Sequence, residues 1–267
     1  LEKHISPECV LATNTSSLSV EKMSAGLQHP NRVVGFHFFN PVAVMPLLEI
    51  ARTPHTDDES TATAINVGKD LKKTMVIAKD APGFIVNRLL TRFMGEITDA
   101  MDEGTPYDIA DNALRDIGFP MTPFELFDLV GPGVALHVSE TLNANLGPRY
   151  RVSPTIQRLV EKGVRTIYIK DESGKKVPNP DALALMEKGN NPSTAEQVKN
   201  RALKALAEEA RMMLDEGVVS SPQEIDLSML LGAGWPLMLG GILPYLDRAG
   251  FANPRFLEPG VASVPNS

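Results

Sequence analysis

The sequence has one cysteine, Cys9, among its 267 residues. An intramolecular disulfide is thereby excluded, as is any zinc or iron–sulfur site built from several thiolates. A lone thiol fits a reducing compartment, and a cytoplasmic protein is expected. Basic excess is missing too: 26 Lys and Arg stand against 33 Asp and Glu, a net charge of −7. That balance speaks against a nucleic-acid surface, although a few local cations would still suffice for a bound phosphate. No apolar run is long enough to cross a bilayer, and the most apolar stretch near the end, residues 229–246, is broken by Gly and Pro. The first residues do not read as a signal peptide, and none is expected. Leu1 leads instead into Glu2-Lys3-His4, which reads as the tail of a helix, and the chain is expected to be truncated.

What is present is a core-forming composition, 43% hydrophobic, in a chain long enough for two or three domains. Up to about residue 80 the pattern alternates. Cys9-Val10-Leu11-Ala12 is a short strand ending in the polar turn Thr13-Asn14-Thr15-Ser16-Ser17, and a short helix from Ser19 to Leu27 follows. Arg32 to Phe38 and Leu47-Leu48-Glu49-Ile50 read as strands. Thr56-Asp57-Asp58-Glu59 reads as a capping box that opens a helix to about Lys73, and Thr74-Met75-Val76-Ile77-Ala78 as a further strand. Such alternation predicts an α/β layer with a largely parallel sheet, whose final strands could reverse direction. After Pro82-Gly83 the period becomes helical, with Phe84, Leu90, Met94, Ile97 and Met101 on one face until Gly104. Residues 147–195 are irregular around one hairpin at Glu172-Ser173-Gly174-Lys175, and a long helix resumes from Ala195 to Gly217.

The helical part repeats itself. Asn87-Arg88 with Leu90 matches Asn200-Arg201 with Leu203, and Asp102-Glu103-Gly104 matches Asp215-Glu216-Gly217, both at a shift of 113. Asp111 with Gly118-Phe119-Pro120 echoes Asp226 with Gly234-Trp235-Pro236, and Asp128 and Gly131 echo Asp247 and Gly250. Two copies of one helical domain, packed against each other, are predicted. Only one of the two copies is expected to adjoin the α/β layer.

The residues best suited to chemistry are His37 and Glu49. His37 lies in Gly35-Phe36-His37-Phe38-Phe39-Asn40-Pro41, among aromatic neighbours that would exclude water, and histidine is the natural base for an alcohol proton at neutral pH. Glu49 sits in the otherwise apolar Leu47-Leu48-Glu49-Ile50, where a charge needs a buried partner, and a carboxylate can orient an imidazole and stabilise its charged form. A packed core histidine and a strand-end glutamate would show the same spacing, so both readings stay open. Asn14-Thr15-Ser16-Ser17 follows a strand, where α/β folds bind ligands, although helix capping accounts for its hydroxyls equally. Asn87 could donate to an oxygen on which negative charge develops, while its repeat mate Asn200 argues for a structural share. Tyr245 and Trp235 could line a pocket or pack a core.

Taken together, Asn14-Thr15-Ser16-Ser17-Leu18, Gly35-Phe36-His37-Phe38-Phe39-Asn40-Pro41, Glu49 and Pro82-Gly83-Phe84-Ile85-Val86-Asn87-Arg88 resemble the L-3-hydroxyacyl-CoA dehydrogenase family in order and spacing. Gly118-Phe119-Pro120-Met121 with Pro123-Phe124-Glu125-Leu126 resembles the family's helical domain, so the likeness covers essentially the whole chain. The resemblance implies an α/β plus all-α fold. Residues 1–81 would be the C-terminal part of a Rossmann-type NAD-binding domain, residues 82–195 a first helical C-terminal domain with an irregular extension, and residues 196–267 a second. It implies that His37 takes the 3-hydroxyl proton while hydride passes to NAD, and that Glu49 orients it. Ser16 and Asn87 would contact the reacting substrate, Ser16 and Asn40 would lie near the nicotinamide, and Tyr245 would be a substrate-side residue. Two helical copies in one chain look like the multifunctional fatty-acid oxidation enzyme, with an enoyl-CoA hydratase part upstream, an acyl-CoA substrate and a thiolase β subunit as partner. A short-chain 3-hydroxybutyryl-CoA dehydrogenase is the near alternative. A silent structural relative would be expected to lose His37 or Glu49, and both are present; dehydrogenases of sugar acids use a Lys–Asn arrangement instead.

One departure from the family matters. Its Gly-x-Gly-x-x-Gly loop, which holds the dinucleotide diphosphate at a helix N-terminus, does not occur in these 267 residues, nor does the acidic residue that reads the adenosine ribose. The isolated chain is therefore expected to bind NAD weakly and to be inactive alone. Calorimetric titration with NAD checks this, and tight binding would contradict it.

Overall fold

In a computed structural model, residues 2–186 and 188–257 are described. They form two compact units that do not follow chain order: residues 1–88 with 210–267, and residues 89–209. Leu1 and residues 258–267, the start and end of the expected domains, lie outside the described residues.

The first unit is built on a sheet of four strands, β1 (Leu11–Thr13), β2 (Val33–Phe38), β3 (Leu47–Arg52) and β4 (Thr74–Lys79), in that spatial order. β1 and β2 are parallel, as are β3 and β4, while β2 and β3 are antiparallel. The reversal arises at the short connection of residues 39–46, which is too brief for a parallel crossover. Alternation along β2 and β3 sends Val34, Phe36, Leu48 and Ile50 to one face, where they pack with Ala64 of helix α2 (Asp58–Asp70); α1 is the short helix Val20–Ser24. The opposite face carries Val33 and Ala51, which pack with Val20 and Phe84. The expected capping box at Thr56 is not formed. Asp57 caps α2 through the Ser60 amide, and the Thr56 hydroxyl instead donates to the Val33 carbonyl.

Helix α3 (Val86–Asp102) follows the turn after β4. The second unit contains α4 (Tyr107–Asn112), α5 (Pro123–Val130), α6 (Pro132–Leu146), α7 (Pro154–Glu161), the expected hairpin as β5 (Tyr168–Lys170) and β6 (Lys176–Pro178), and α8 (Pro180–Leu185). Helix α9 (Ala195–Asp215) is the long helix read from the sequence; α10 (Pro222–Gly232) and α11 (Ile242–Arg248) complete the chain. The unit boundary falls inside α3 and α9.

The placement of α10 corrects an expectation. The second copy also adjoins the α/β layer, because α10 packs on β3 and β4. A Cβ at Gly232 would lie 2.5 Å from the Leu47 side chain, so any larger residue would have to displace that side chain for the helix to come this close. The amide of Lys79 at the end of β4 donates to Val218 just before α10 (2.8 Å).

The internal repeat is visible in its polar contacts. Arg88 of the first copy pairs with Glu216 of the second (2.6 and 3.0 Å), and Arg201 of the second pairs with Glu103 of the first (2.6 and 3.3 Å). This reciprocity is the pattern of a two-fold interface between like elements, here within one chain. Asp128 accepts the amides of Ile167 and Tyr168, and Asp247 accepts those of Phe256 and Leu257. Asp111 accepts from the Phe124 amide and the Tyr168 hydroxyl, while Asp226 accepts from the Leu243 amide. Leu257 thus stands where the first copy has Tyr168, and a leucine has no hydroxyl to offer.

Among the described residues, Asp226 Oδ2 is accordingly buried without a hydrogen-bond partner. Desolvation pushes its carboxyl up to about 7, the Leu243 amide opposing and Asp247 adding to the rise. A folded state that holds this proton more tightly than the unfolded chain loses stability as pH rises from 3.8 to about 7. Asp226→Asn keeps an acceptor for Leu243. It is expected to stabilise the chain above pH 7 by roughly 1–3 kcal/mol and to give no gain at pH 4, as read from thermal unfolding at the two pH values.

Candidate active site

β2 and β3 bring His37 and Glu49 directly opposite each other in antiparallel register. Cross-strand partners point to the same face, so two residues twelve apart in sequence become neighbours without any contribution from a loop. His37 Nδ1 lies 2.7 Å from Glu49 Oε2, with the glutamate fully buried and the histidine nearly so. The imidazole stacks edge-on to Phe39 at 4.6 Å between centroids and tilts against Phe84 at 5.8 Å.

The other glutamate oxygen, Oε1, accepts the amides of Ile85 (3.2 Å) and Val86 (2.9 Å) at the N-terminus of α3. A helix N-terminus favours negative charge, and its first amides lack intrahelical partners. Two backbone amides donate to Oε1, and a carboxylate without a proton can only accept at Oε2 as well. His37 Nδ1 therefore carries the hydrogen and donates it, which leaves the lone pair on Nε2. Among the described residues Nε2 has no protein partner.

The turn that aims those amides is strained. Gly83 has φ 74° and Phe84 has φ 46°, a region that side chains other than glycine's rarely adopt. The fully buried Phe84 ring, packed with Val20, Val33 and Ala51, holds the backbone there.

The same turn presents Asn87, whose Nδ2 donates to the Ser16 carbonyl (3.3 Å). Ser16 and Asn87 are both half-buried. A continuous path thus runs from His37 through Glu49 and the Val86 amide to Asn87 and Ser16. Asn40 is exposed, three residues beyond His37. Tyr245 lies against Trp235, with ring centroids 5.2 Å apart, and among the described residues no hydrogen bond joins it to the other candidates. The Ile85 and Val86 amides escaped the sequence reading, because backbone donors have no residue-type signature. Pro82-Gly83 was the only local sign of them.

A family model described as the NAD binding domain of 3-hydroxyacyl-CoA dehydrogenase matches residues 1–81, and one for the C-terminal domain of the same enzyme matches residues 83–168. The chain belongs to the 3-hydroxyacyl-CoA dehydrogenase family. The expected fold class holds accordingly: the C-terminal part of a Rossmann-type domain followed by helical domains. Among similar relatives is the fatty acid oxidation complex subunit alpha of Idiomarina loihiensis, 34% identical over 94% of this chain and 36% of that protein. The homologue from Shewanella amazonensis is 32% identical over 97% of this chain and 38% of its own length. The chain therefore spans little more than a third of these relatives. A 3-hydroxybutyryl-CoA dehydrogenase from Escherichia coli superposes with a TM-score of 0.75 at 25% identity, covering 91% of this chain and 69% of that one. The dehydrogenase part of multifunctional enzyme 1 from C. elegans gives 0.54 at 27% identity, over 98% and 64%.

Among these candidate residues Glu49 is the most exacting. Glu49→Gln must set an amide NH2 against either the His37 ring or the Ile85 and Val86 amides, so it is expected to cost about 1–3 kcal/mol in denaturant unfolding.

Proposed function

We propose that this chain is the dehydrogenase portion of a multifunctional fatty-acid oxidation enzyme, converting L-3-hydroxyacyl-CoA to 3-ketoacyl-CoA with NAD. The observation that carries the reading is the buried His37–Glu49 pair at 2.7 Å, with the carboxylate anchored on the N-terminus of α3.

His37 Nε2 takes the proton of the 3-hydroxyl, and Glu49 holds the ring in the tautomer this needs and stabilises the imidazolium that forms. Bound NAD would accept the hydride that leaves C3. Ser16 and Asn87 hold the reacting oxygen and the atoms beside it, and Tyr245 serves on the substrate side. The residues present fit the nicotinamide end of such a cofactor: the polar loop 14–17 follows a parallel strand at the sheet's ligand-binding end, and Asn40 is exposed three residues beyond His37. The diphosphate end finds no glycine-rich cradle among these 267 residues.

The relatives named as subunits of a complex support an assembly; a thiolase subunit as the partner and an enoyl-CoA hydratase part in the same protein are what the family resemblance implies. Compartment follows the expectation from the lone cysteine, a cytoplasmic protein; among the described residues no helix is long and apolar enough to cross a membrane. The similarity to a 3-hydroxybutyryl-CoA dehydrogenase favours a second reading that differs only in acyl length.

The test is His37→Gln in the protein that carries this chain, assayed with NAD and a series of L-3-hydroxyacyl-CoA lengths. Turnover is expected to fall roughly 10²–10⁴-fold with the melting temperature little changed. Turnover close to that of the parent would remove His37 from the mechanism, and the acyl series decides between the long-chain and hydroxybutyryl readings.

A further inference from the structure

The loop of Ser16 and the turn of Asn87 touch directly through one long hydrogen bond, 3.3 Å from Asn87 Nδ2 to the Ser16 carbonyl. A single neutral bond of that length is too weak to fix two loops that lie 71 residues apart. Asp80 lies where both begin. Its amide donates to the Arg52 carbonyl (2.8 Å), carrying the β3–β4 ladder one residue past β4. The strained turn through Gly83 and Phe84 starts immediately after it.

The Asp80 carboxylate is committed to the other loop. Oδ1 accepts the Val20 amide (3.0 Å), and Oδ2 accepts the Ser19 hydroxyl and the Glu21 amide (2.9 Å each). Those three donors begin two residues after Ser17 and open α1. Five residues of helix are too few to be stable unaided, so this turn depends on what caps it. Three donors also need both oxygens of a carboxylate; an asparagine offers one acceptor and would point its own NH2 at an N–H.

We propose that Asp80 is a positioning residue of the active site: it pins the Ser16 loop to the strand end that launches the Asn87 turn, and so sets where the substrate oxygen is held. This rests on the dehydrogenase reading above. The alternative is a carboxylate that merely stabilises α1, with no bearing on turnover.

The experiment compares Asp80→Ala, Asp80→Asn and Ser19→Ala in the protein that carries this chain. It reads kcat and KM with L-3-hydroxybutyryl-CoA and NAD, together with amide hydrogen exchange over residues 16–21. Asp80→Ala is expected to lower kcat by about ten- to a hundredfold with KM within about twofold, because displaced oxygen contacts act on the reacting centre. Asp80→Asn, with one acceptor retained, and Ser19→Ala, with one donor lost, fall between it and the parent, and exchange over 16–21 accelerates in the same order. In an Asn87→Ala background, Asp80→Ala changes kcat less than about twofold, since the contact it positions is already gone.

Undiminished kcat in the variants, a loss confined to KM, or a full additive loss in the Asn87→Ala background would overturn the assignment. Should Asp80→Ala fail to fold, the other two variants decide it by the same criteria. A parent protein without turnover overturns the dehydrogenase reading and this assignment with it, whereas an active parent with indifferent variants overturns this assignment alone.

Discussion

A carboxylate with no exposed surface must find its hydrogen bonds inside the protein, and Glu49 finds three: one from an imidazole and two from the first amides of α3. That requirement constrains most of the first unit. β2 and β3 must pair in the register that sets Glu49 opposite His37, since a slip of one residue would put the two side chains on opposite faces of the sheet, one of them toward the apolar face that packs on α2. The turn before α3 must deliver its amides to the same oxygen, which accounts for a phenylalanine held at positive φ. The strain is carried by the burial of the Phe84 ring, so packing and polar satisfaction are met by the same few residues.

The consequence for chemistry is a histidine whose tautomer is dictated rather than free. With Nδ1 committed to Glu49, Nε2 is the only nitrogen left to meet a substrate. The aromatic rings of Phe39 and Phe84 limit the water that could compete for it.

The helical copies show how one chain can use a duplicated element unequally. The crossed Arg–Glu pairs keep the symmetry of like elements, and the Asp128 and Asp247 carboxylates bind successive amides in the same way. Among the described residues, the hydroxyl that satisfies Asp111 has no counterpart for Asp226. The second copy has also taken up a contact of its own, with Gly232 admitting α10 onto the sheet. The expectation that only one copy adjoins the α/β layer fails because a repeat shift reports likeness between segments and says nothing about where each one docks.

Residue type and spacing alone determined a good deal: alternating strands and helices up to β4, the helical period after Pro82-Gly83, the hairpin, the long α9, the duplicated motifs, and the candidacy of His37 and Glu49. Each is a local pattern, or an ionisable group placed among apolar neighbours, and such features are written in the residues themselves. The antiparallel turn between β2 and β3, the two amides that receive Glu49, the cap on α2 at Asp57 rather than Thr56, and the carboxylate of Asp80 reaching across 60 residues to α1 were decided only by tertiary structure. These depend on which backbone groups come within 3 Å of which side chains, and peptide N–H groups are the same at every position except proline.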